Sequence, residues 1–400
     1  MCAPDCVQGV DGRFYIYYQL HMLTCTSVAV ADNPAGPFEF YGYVQHADGT
    51  PWGEKKGDSF AFDPGILVDD GKAYCYVGFA PEGWLKDIFE SQGIKVASSI
   101  CLSLDADMKT VIGDEKIIAP GPELSKGTAF EGHAFYEASS IRKIKDTYYY
   151  VYSSELSHEL CYATSKYPDR DFQYGGTLVS IGDIGYEGNT IATNYLGNTH
   201  GGMTEINGEW YIFYHRQTNK QKCARQGCAE KIHILEDGSI SQVEITSCGL
   251  NGEPLSGNGS YEARIACNLS SAEGTFPYLE SFEKDEKGIH PYFTQSDPDR
   301  ESQGDQYIAN MTNGSFAGFK YFLFDGKERG ISITARGQAN GKMKVYTDRA
   351  NEAVAEIDVY TSEKWKEFRG ELSAVTDIQP LYFEYEGEGY LDFLSFEIHN

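Results

Sequence analysis

One pattern occurs four times in the 400-residue sequence and limits its fold more than any other feature: a polar turn followed by a strand of alternating aromatic residues. The copies read Asp11-Gly12-Arg13-Phe14-Tyr15-Ile16-Tyr17-Tyr18, Asp70-Gly71-Lys72-Ala73-Tyr74-Cys75-Tyr76, Lys145-Asp146-Thr147-Tyr148-Tyr149-Tyr150-Val151-Tyr152 and Asn207-Gly208-Glu209-Trp210-Tyr211-Ile212-Phe213-Tyr214. A two-residue polar turn feeding a period-two strand is a strong short-range hairpin signal. Such hairpins recur here roughly 60 to 75 residues apart, the spacing of four-stranded propeller blades carrying loop insertions. The chain is therefore expected to be all-β, with four blades visible in residues 1–270.

The strand ahead of each turn opens on an ionisable residue, Asp5, Asp63, Glu137 or His200, each about seven to nine positions ahead of the turn. In a propeller the first strand of every blade lines the central channel, so these side chains are expected to converge. Charge at inner positions is costly unless a ligand, a metal or another charge compensates it. An Asp before Pro, as in Asp63-Pro64, is by itself a common turn former. The recurrence at one register is what points to a site.

Composition narrows the ligands. The balance of 33 basic against 59 acidic side chains gives a net charge of −26, which repels phosphate backbones and anionic lipids and equally serves solubility. Neither a nucleic acid nor a membrane is expected as partner, and a neutral, hydroxyl-rich ligand is favoured. No apolar run is long enough to span a bilayer. Of ten cysteines, Cys75, Cys101 and Cys161 sit in apolar strand-like runs, where the thiol acts as a small hydrophobe. A reducing cytoplasm is the expected location, with secretion of a longer form as the alternative.

Five segments then match one family in order. Ala3-Pro4-Asp5, Phe62-Asp63-Pro64-Gly65-Ile66, Tyr136-Glu137-Ala138-Ser139-Ser140, Asn198-Thr199-His200-Gly201-Gly202 and Arg225-Gln226-Gly227 together resemble glycoside hydrolase family 43. The resemblance covers about residues 1–270 and implies a five-bladed β-propeller that hydrolyses O-glycosidic bonds of plant polysaccharides or oligosaccharides by inversion, as an α-L-arabinofuranosidase or β-xylosidase. It implies Glu137 as general acid, Asp63 as the carboxylate that tunes it, Arg225 and Asp5 as substrate contacts, and His200 beside a structural calcium ion, with no cofactor required for the chemistry. Cys2 stands where the family usually has Trp. The family's general base lies on a first blade ahead of Ala3-Pro4-Asp5, so that blade is expected to be missing by truncation and the chain as given to be slow or inactive.

Other residues leave alternatives open. Glu131 is a second candidate acid, off the register of the other blades, and His158 and Glu159 are candidates for the pocket. Trp52 and Trp84 fall in Gly- and Pro-containing insertions, where they either offer a flat face to a sugar or anchor their own loop. After the Gly-, Ser- and Asn-rich stretch 249–259 the blade rhythm stops, and residues 276–400 are expected to form a β-sandwich. That segment resembles carbohydrate-binding module family 6, and its Tyr307, Phe316 and Trp365 belong either to a sugar site or to a structural cap. Two non-enzymatic alternatives remain for the propeller: a carbohydrate-binding domain without catalysis, and a protein-interaction platform.

Overall fold

The computed structural model describes residues 2–21, 23–275, 287–296 and 304–400. The chain divides into two compact units, neither continuous in sequence: Met1–Val179 with Thr199–Tyr214 and Ile232–Gln242, and Ser180–Asn198 with His215–Lys231 and Val243–Asn400. The start of the expected sandwich, residues 276–286, lies outside the described residues.

Three four-stranded antiparallel blades occupy the first unit. The first is β1 (Cys2–Gln8), β2 (Phe14–Gln19), β3 (Thr26–Ala31) and β4 (Glu39–Tyr43), and the second is β5 (Gly65–Asp69), β6 (Lys72–Phe79), β7 (Ser98–Leu104) and β8 (Lys116–Pro120). Helix α1 (Gly83–Ser91) lies between β6 and β7, and α2 (Pro122–Ser125) follows β8. The third blade is β9 (Phe135–Ile144), β10 (Thr147–Ser154), β11 (Glu159–Ser165) and β12 (Gln173–Ser180). A fourth opens with the hairpin of β13 (Gly202–Ile206) and β14 (Glu209–Thr218), followed by β15 (Gln221–Ile232). Strand order within the first three blades follows the chain, as in a propeller of four blades.

The turns explain the hairpins. Between the paired residues Asp69↔Lys72 and Ile206↔Glu209, the dipeptides Asp70-Gly71 and Asn207-Gly208 have positive φ at both positions, the geometry whose twist matches antiparallel strands. The first copy differs from the sequence expectation. Gln8 pairs with Phe14, so residues 9–13 form a longer loop, in which Asp11 accepts hydrogen bonds from the Arg13 backbone and guanidinium and from the Tyr15 hydroxyl. Behind the turns, alternation places Tyr148, Tyr150 and Tyr152 on one face of β10, where they pack with Tyr74 and Tyr76 of the preceding blade. Cys101 and Cys161 are buried and free among these residues, and Cys75 is buried and free in the core of the first two blades.

In the second unit, β16 (Leu255–Ser256), β17 (Gly259–Glu262), β18 (Asn268–Ser270), β19 (Tyr292–Gln295), β20 (Gln306–Met311), β21 (Ser315–Asp325), β22 (Gly330–Tyr346), β23 (Ala355–Glu371) and β24 (Thr376–His399) form one connected sheet network. It wraps a core that includes Phe319, Phe383, Phe393 and Phe396. Residues 331–336 and 342–346 alternate apolar and polar side chains, as do 381–385 and 390–396. Each pair lies on a single long strand, β22 and β24, hydrogen-bonded to each other from Gly330↔His399 to Tyr346↔Tyr382. The intervening glycines do not end the strands but let them approach: a Cβ on Gly389 would lie 1.7 Å from the Gln338 carbonyl oxygen.

Candidate active site

The inner strands β1, β5, β9 and β13 are neighbours in that order, so their heads fall together within the first unit. Asp63 stands just ahead of β5, and its side chain is nearly enclosed, the residue being 5% exposed. Its Oδ2 lies 3.7 Å from Nδ1 of His200, which stands just ahead of β13. Glu137 is the third residue of β9, half-buried and opposite Ser153 at an irregularity in the β9–β10 ladder. Such a break re-aims a side chain that a regular strand would hold flat.

Backbone strain marks the same level in three blades. Ala3, Asp63 and Ala138 have φ values of 45°, 47° and 72°, left-handed conformations for residues with a Cβ. Each costs on the order of 1–3 kcal/mol, and such strain concentrates at functional sites. Gly65 permits the inner strands to pack closely there, since a Cβ on it would come within 2.9 Å of the Ser139 carbonyl oxygen.

The residues before Asp63 and Glu137, Phe62 and Tyr136, are both aromatic, a signal present in the sequence. Phe62 and Tyr136 pack against Phe60, Phe79, Ile94 and Val96, and α1 adds Leu85 and Phe89 to the same cluster. The rigid apolar wall thus fixes the backbone that carries Asp63 and Glu137. Burial, together with the charge of Glu137, pushes the Tyr136 hydroxyl up to about 12, so the phenol stays protonated beside the carboxylate. Trp84 sits on α1 rather than in a loop and is 73% exposed, so its indole face remains open.

The remaining sequence candidates fall elsewhere. Trp52 cannot serve as a sugar platform: it is 7% exposed, stacks on His46 with ring centroids 4.6 Å apart, and belongs to the core shared by the first two blades. Asp5 has both oxygens engaged by protein groups, accepting from the Cys6 and Ile66 backbone N–H at 3.0 Å each, with Arg142 at 3.7 Å. It ties β1 to β5 and β9. Burial still raises its carboxyl above the usual range, against the opposing effect of Arg142 and the two N–H groups. Arg225 belongs to the second unit, where its guanidinium donates to His215 Nε2 at 3.0 Å. Glu131 accepts from the Gly127 N–H in an exposed loop.

Glu159 is a buried carboxylate at the start of β11 whose Oε1 accepts from His133 Nδ1 at 2.7 Å and Ser154 Oγ at 2.6 Å, while Oε2 accepts from Thr177 Oγ1 at 3.0 Å. Burial alone would raise its pKa, but these hydrogen bonds, led by that from His133, hold it below the usual range. The bond to Glu159 raises His133 against burial, whereas burial lowers the neighbouring His158. The two imidazoles are expected to titrate on opposite sides of the ordinary histidine midpoint, His133 above and His158 below, in an NMR pH titration. Glu159→Gln should bring His133 back down, and a common midpoint for both rings would contradict the geometry.

Metal chemistry can be judged from the donors. His133, Glu159 and Cys161 bring donor atoms within 4.8 Å of one another, but the thiol is pushed well above its usual pKa by burial and Glu159 already has its lone pairs engaged. A calcium ion takes six to eight oxygen ligands. The pair of His200 and Asp63 supplies one imidazole and one carboxylate, and among the described residues His200 joins no group of three converging His, Cys, Asp or Glu donors. These residues do not fit a directly coordinated calcium site.

Comparison with known proteins gives a consistent result. Residues 2–240 match the family described as Glycosyl hydrolases family 43. A xylosidase/arabinosidase of Thermoclostridium stercorarium is 46% identical over 100% of this chain and 83% of its own length. A β-xylosidase of Xylanibacter ruminicola is 30% identical over 53% of this chain and 63% of its own length. Among solved structures, a family 43 arabinoxylan arabinofuranohydrolase from Bacillus subtilis, in complex with cellotetraose, aligns over 99% of this chain and 78% of that one, with 21% identity and a TM-score of 0.49. A β-xylosidase/α-arabinofuranosidase from a compost metagenome, solved with xylotriose in a calcium-free form, aligns over 60% of this chain and 72% of that one, with 25% identity and a TM-score of 0.45. With the family pattern running through three blades and into the fourth, and a relative nearly half identical over the whole of this chain, this chain is a glycoside hydrolase belonging to family 43.

Proposed function

We propose that the protein cleaves terminal or side-chain α-L-arabinofuranosyl and β-D-xylosyl linkages by single displacement, with Glu137 as general acid. The observation that carries this reading is the placement of Asp63, Glu137 and His200 at the heads of adjacent inner strands, with Asp63 and His200 3.7 Å apart. Glycosidic cleavage needs a protonated carboxyl to donate to the departing oxygen and a carboxylate on the opposite face to activate water. Glu137, half-buried and carried on an irregular strand, suits the first role. Asp63 is suited to tune it, because a nearby carboxylate penalises ionisation of the acid. Asp5 is committed to β5 and Arg142, and Asp63 faces His200, so the base role falls to neither. The relatives' names support both sugars, and the exposed Trp84 is suited to lie against a sugar face.

Nitrophenyl α-L-arabinofuranoside and nitrophenyl β-D-xyloside test the substrate class, with the β-D-galactopyranoside as control. Release from the first two is expected to exceed release from the third by on the order of 100-fold, the discrimination that hydroxyl-reading pockets provide. Hydrolysis of neither, by the chain together with the first blade that the family resemblance implies, would sink the proposal.

A further inference from the structure

A chain of buried hydroxyls joins the second and third blades. Ser139 Oγ lies 2.9 Å from the Tyr150 phenol oxygen, and the Tyr150 hydroxyl donates to Ser99 Oγ at 2.5 Å. A phenol has one proton, so Ser139 is the donor in the first of these bonds. None of the three residues is more than 1% exposed. The Tyr150 ring is enclosed by Tyr76, Phe135, Tyr152 and Phe172, with ring centroids 5.8–6.4 Å away. A phenylalanine would fill the same space and need no partners, so packing alone does not account for the hydroxyl.

The β9–β10 ladder supplies the reason. Val151 pairs with Ser140 and Ser153 with Glu137, so Ala138 and Ser139 together stand opposite Tyr152. Two residues against one is a β-bulge, and it begins immediately after Glu137. A bulge disrupts the ladder hydrogen bonds that would otherwise fix the strand, so its direction depends on what else holds it. Ala138 has a φ of 72°, a strained conformation that persists only where the surroundings over-determine it, and its methyl group can make no polar contact. Ser139 carries the anchor instead, its hydroxyl tied through Tyr150 of β10 to Ser99 of β7. From the side of β5, the close approach of Gly65 to the Ser139 carbonyl limits movement of the bulge. Burial pushes the Tyr150 phenol above its usual range, so this donor stays protonated throughout the acid and neutral range.

We propose that Tyr150 is a positioning residue for the general acid: through Ser139 it sets the bulge that aims the Glu137 carboxyl at the departing glycosidic oxygen. Tyr150 is fully buried and meets neither the sugar nor the reacting atoms. The inference rests on the reading of Glu137 as the acid and adds the residues that hold that acid in place.

The test compares Tyr150→Phe and Ser139→Ala in the chain together with the first blade that the family resemblance implies. Substrates are xylobiose or arabinobiose, whichever is turned over, and the corresponding nitrophenyl glycoside. Tyr150→Phe keeps the ring among its aromatic neighbours and removes only the oxygen. Ser139→Ala leaves the bond from Tyr150 to Ser99 intact, so the test stands even if the first variant fails to fold. Each variant is expected to lower kcat on the disaccharide by about 10- to 100-fold, the cost of a misplaced catalytic group, with KM within about twofold of the native value. The nitrophenyl glycoside, whose leaving group needs no proton, should lose far less. Added to Glu137→Gln, neither variant should lower disaccharide turnover further, because its effect passes through that carboxyl. Equal losses on both substrates would overturn the proposal, as would a lowered melting temperature with kcat unchanged, or losses that multiply with that of Glu137→Gln. The two readings fail separately. If Glu137→Gln itself loses equally on both substrates, the acid assignment fails, whereas if it discriminates between them and the Tyr150 and Ser139 variants do not, the positioning inference fails alone.

Discussion

Glu137→Gln should lower turnover of unactivated arabino- and xylo-oligosaccharides by about 10²–10⁴-fold, the usual contribution of a positioned general acid. The glutamine keeps the size of the side chain and its capacity to hydrogen-bond, but has no proton to give at accessible pH. A sugar alkoxide cannot leave unprotonated, so the full loss falls on natural linkages. Nitrophenolate departs without help, and its glycosides should lose far less. Because Glu137 is only half-buried, the variant should fold normally. Equal losses on both substrate classes would show that Glu137 acts through binding or positioning instead of proton transfer.

Lys320→Met is expected to produce the largest loss of stability. The Lys320 side chain is 7% exposed, with its ammonium 2.7 Å from Glu244 Oε1 and 3.6 Å from Asp183 Oδ2. Methionine retains the apolar stem and removes the only cation described between these two carboxylates. The Tyr321 hydroxyl still donates to Glu244, and the Ile245 N–H to Asp183, but neither neutralises a charge. Breaking a buried pair in this way costs about 3–5 kcal/mol near neutral pH, or a melting temperature lower by roughly 5–10 °C.

The loss should depend on pH in a definite direction. Burial is the main reason that the Asp183 carboxyl is pushed up to about 6 from 3.8, with the Ile245 N–H and Lys320 opposing it. The fold therefore favours its protonated form. The stability this contributes is fully present below the unfolded value of 3.8 and is lost as pH rises through about 6. Removing Lys320 should consequently cost less near pH 5 than near pH 8, as read by chemical denaturation at both. A loss independent of pH would mean that packing, and not charge, holds this cluster together.

The parts of this protein that were legible in the sequence are those governed by short-range periodicity. Alternating tyrosines announced the blades because each second residue must enter the core, and the ionisable strand heads were legible because the repeat fixes their register. Properties set by distant chain segments were hidden. Trp52 looked available in a Gly- and Pro-containing insertion, but His46 and the core of two blades enclose it. The glycines of β22 and β24 are points of close approach between two long strands, a role set by the partner strand and not by the local sequence. The aromatic residue before each carboxylate proposed for catalysis, Phe62 and Tyr136, was visible but meaningful only because both pack on the same apolar cluster as α1.

The stereochemistry of the first-formed product tests the central claim most directly. Proton NMR, recorded through the first minutes of hydrolysis of a nitrophenyl β-D-xyloside, distinguishes the anomers before mutarotation mixes them. A single displacement, in which Glu137 protonates the leaving oxygen while water attacks the opposite face, predicts that α-xylose appears first and the β anomer only later. β-Xylose as the first product would require a covalent glycosyl-enzyme and a carboxylate nucleophile close to Glu137, and would contradict the mechanism assigned here.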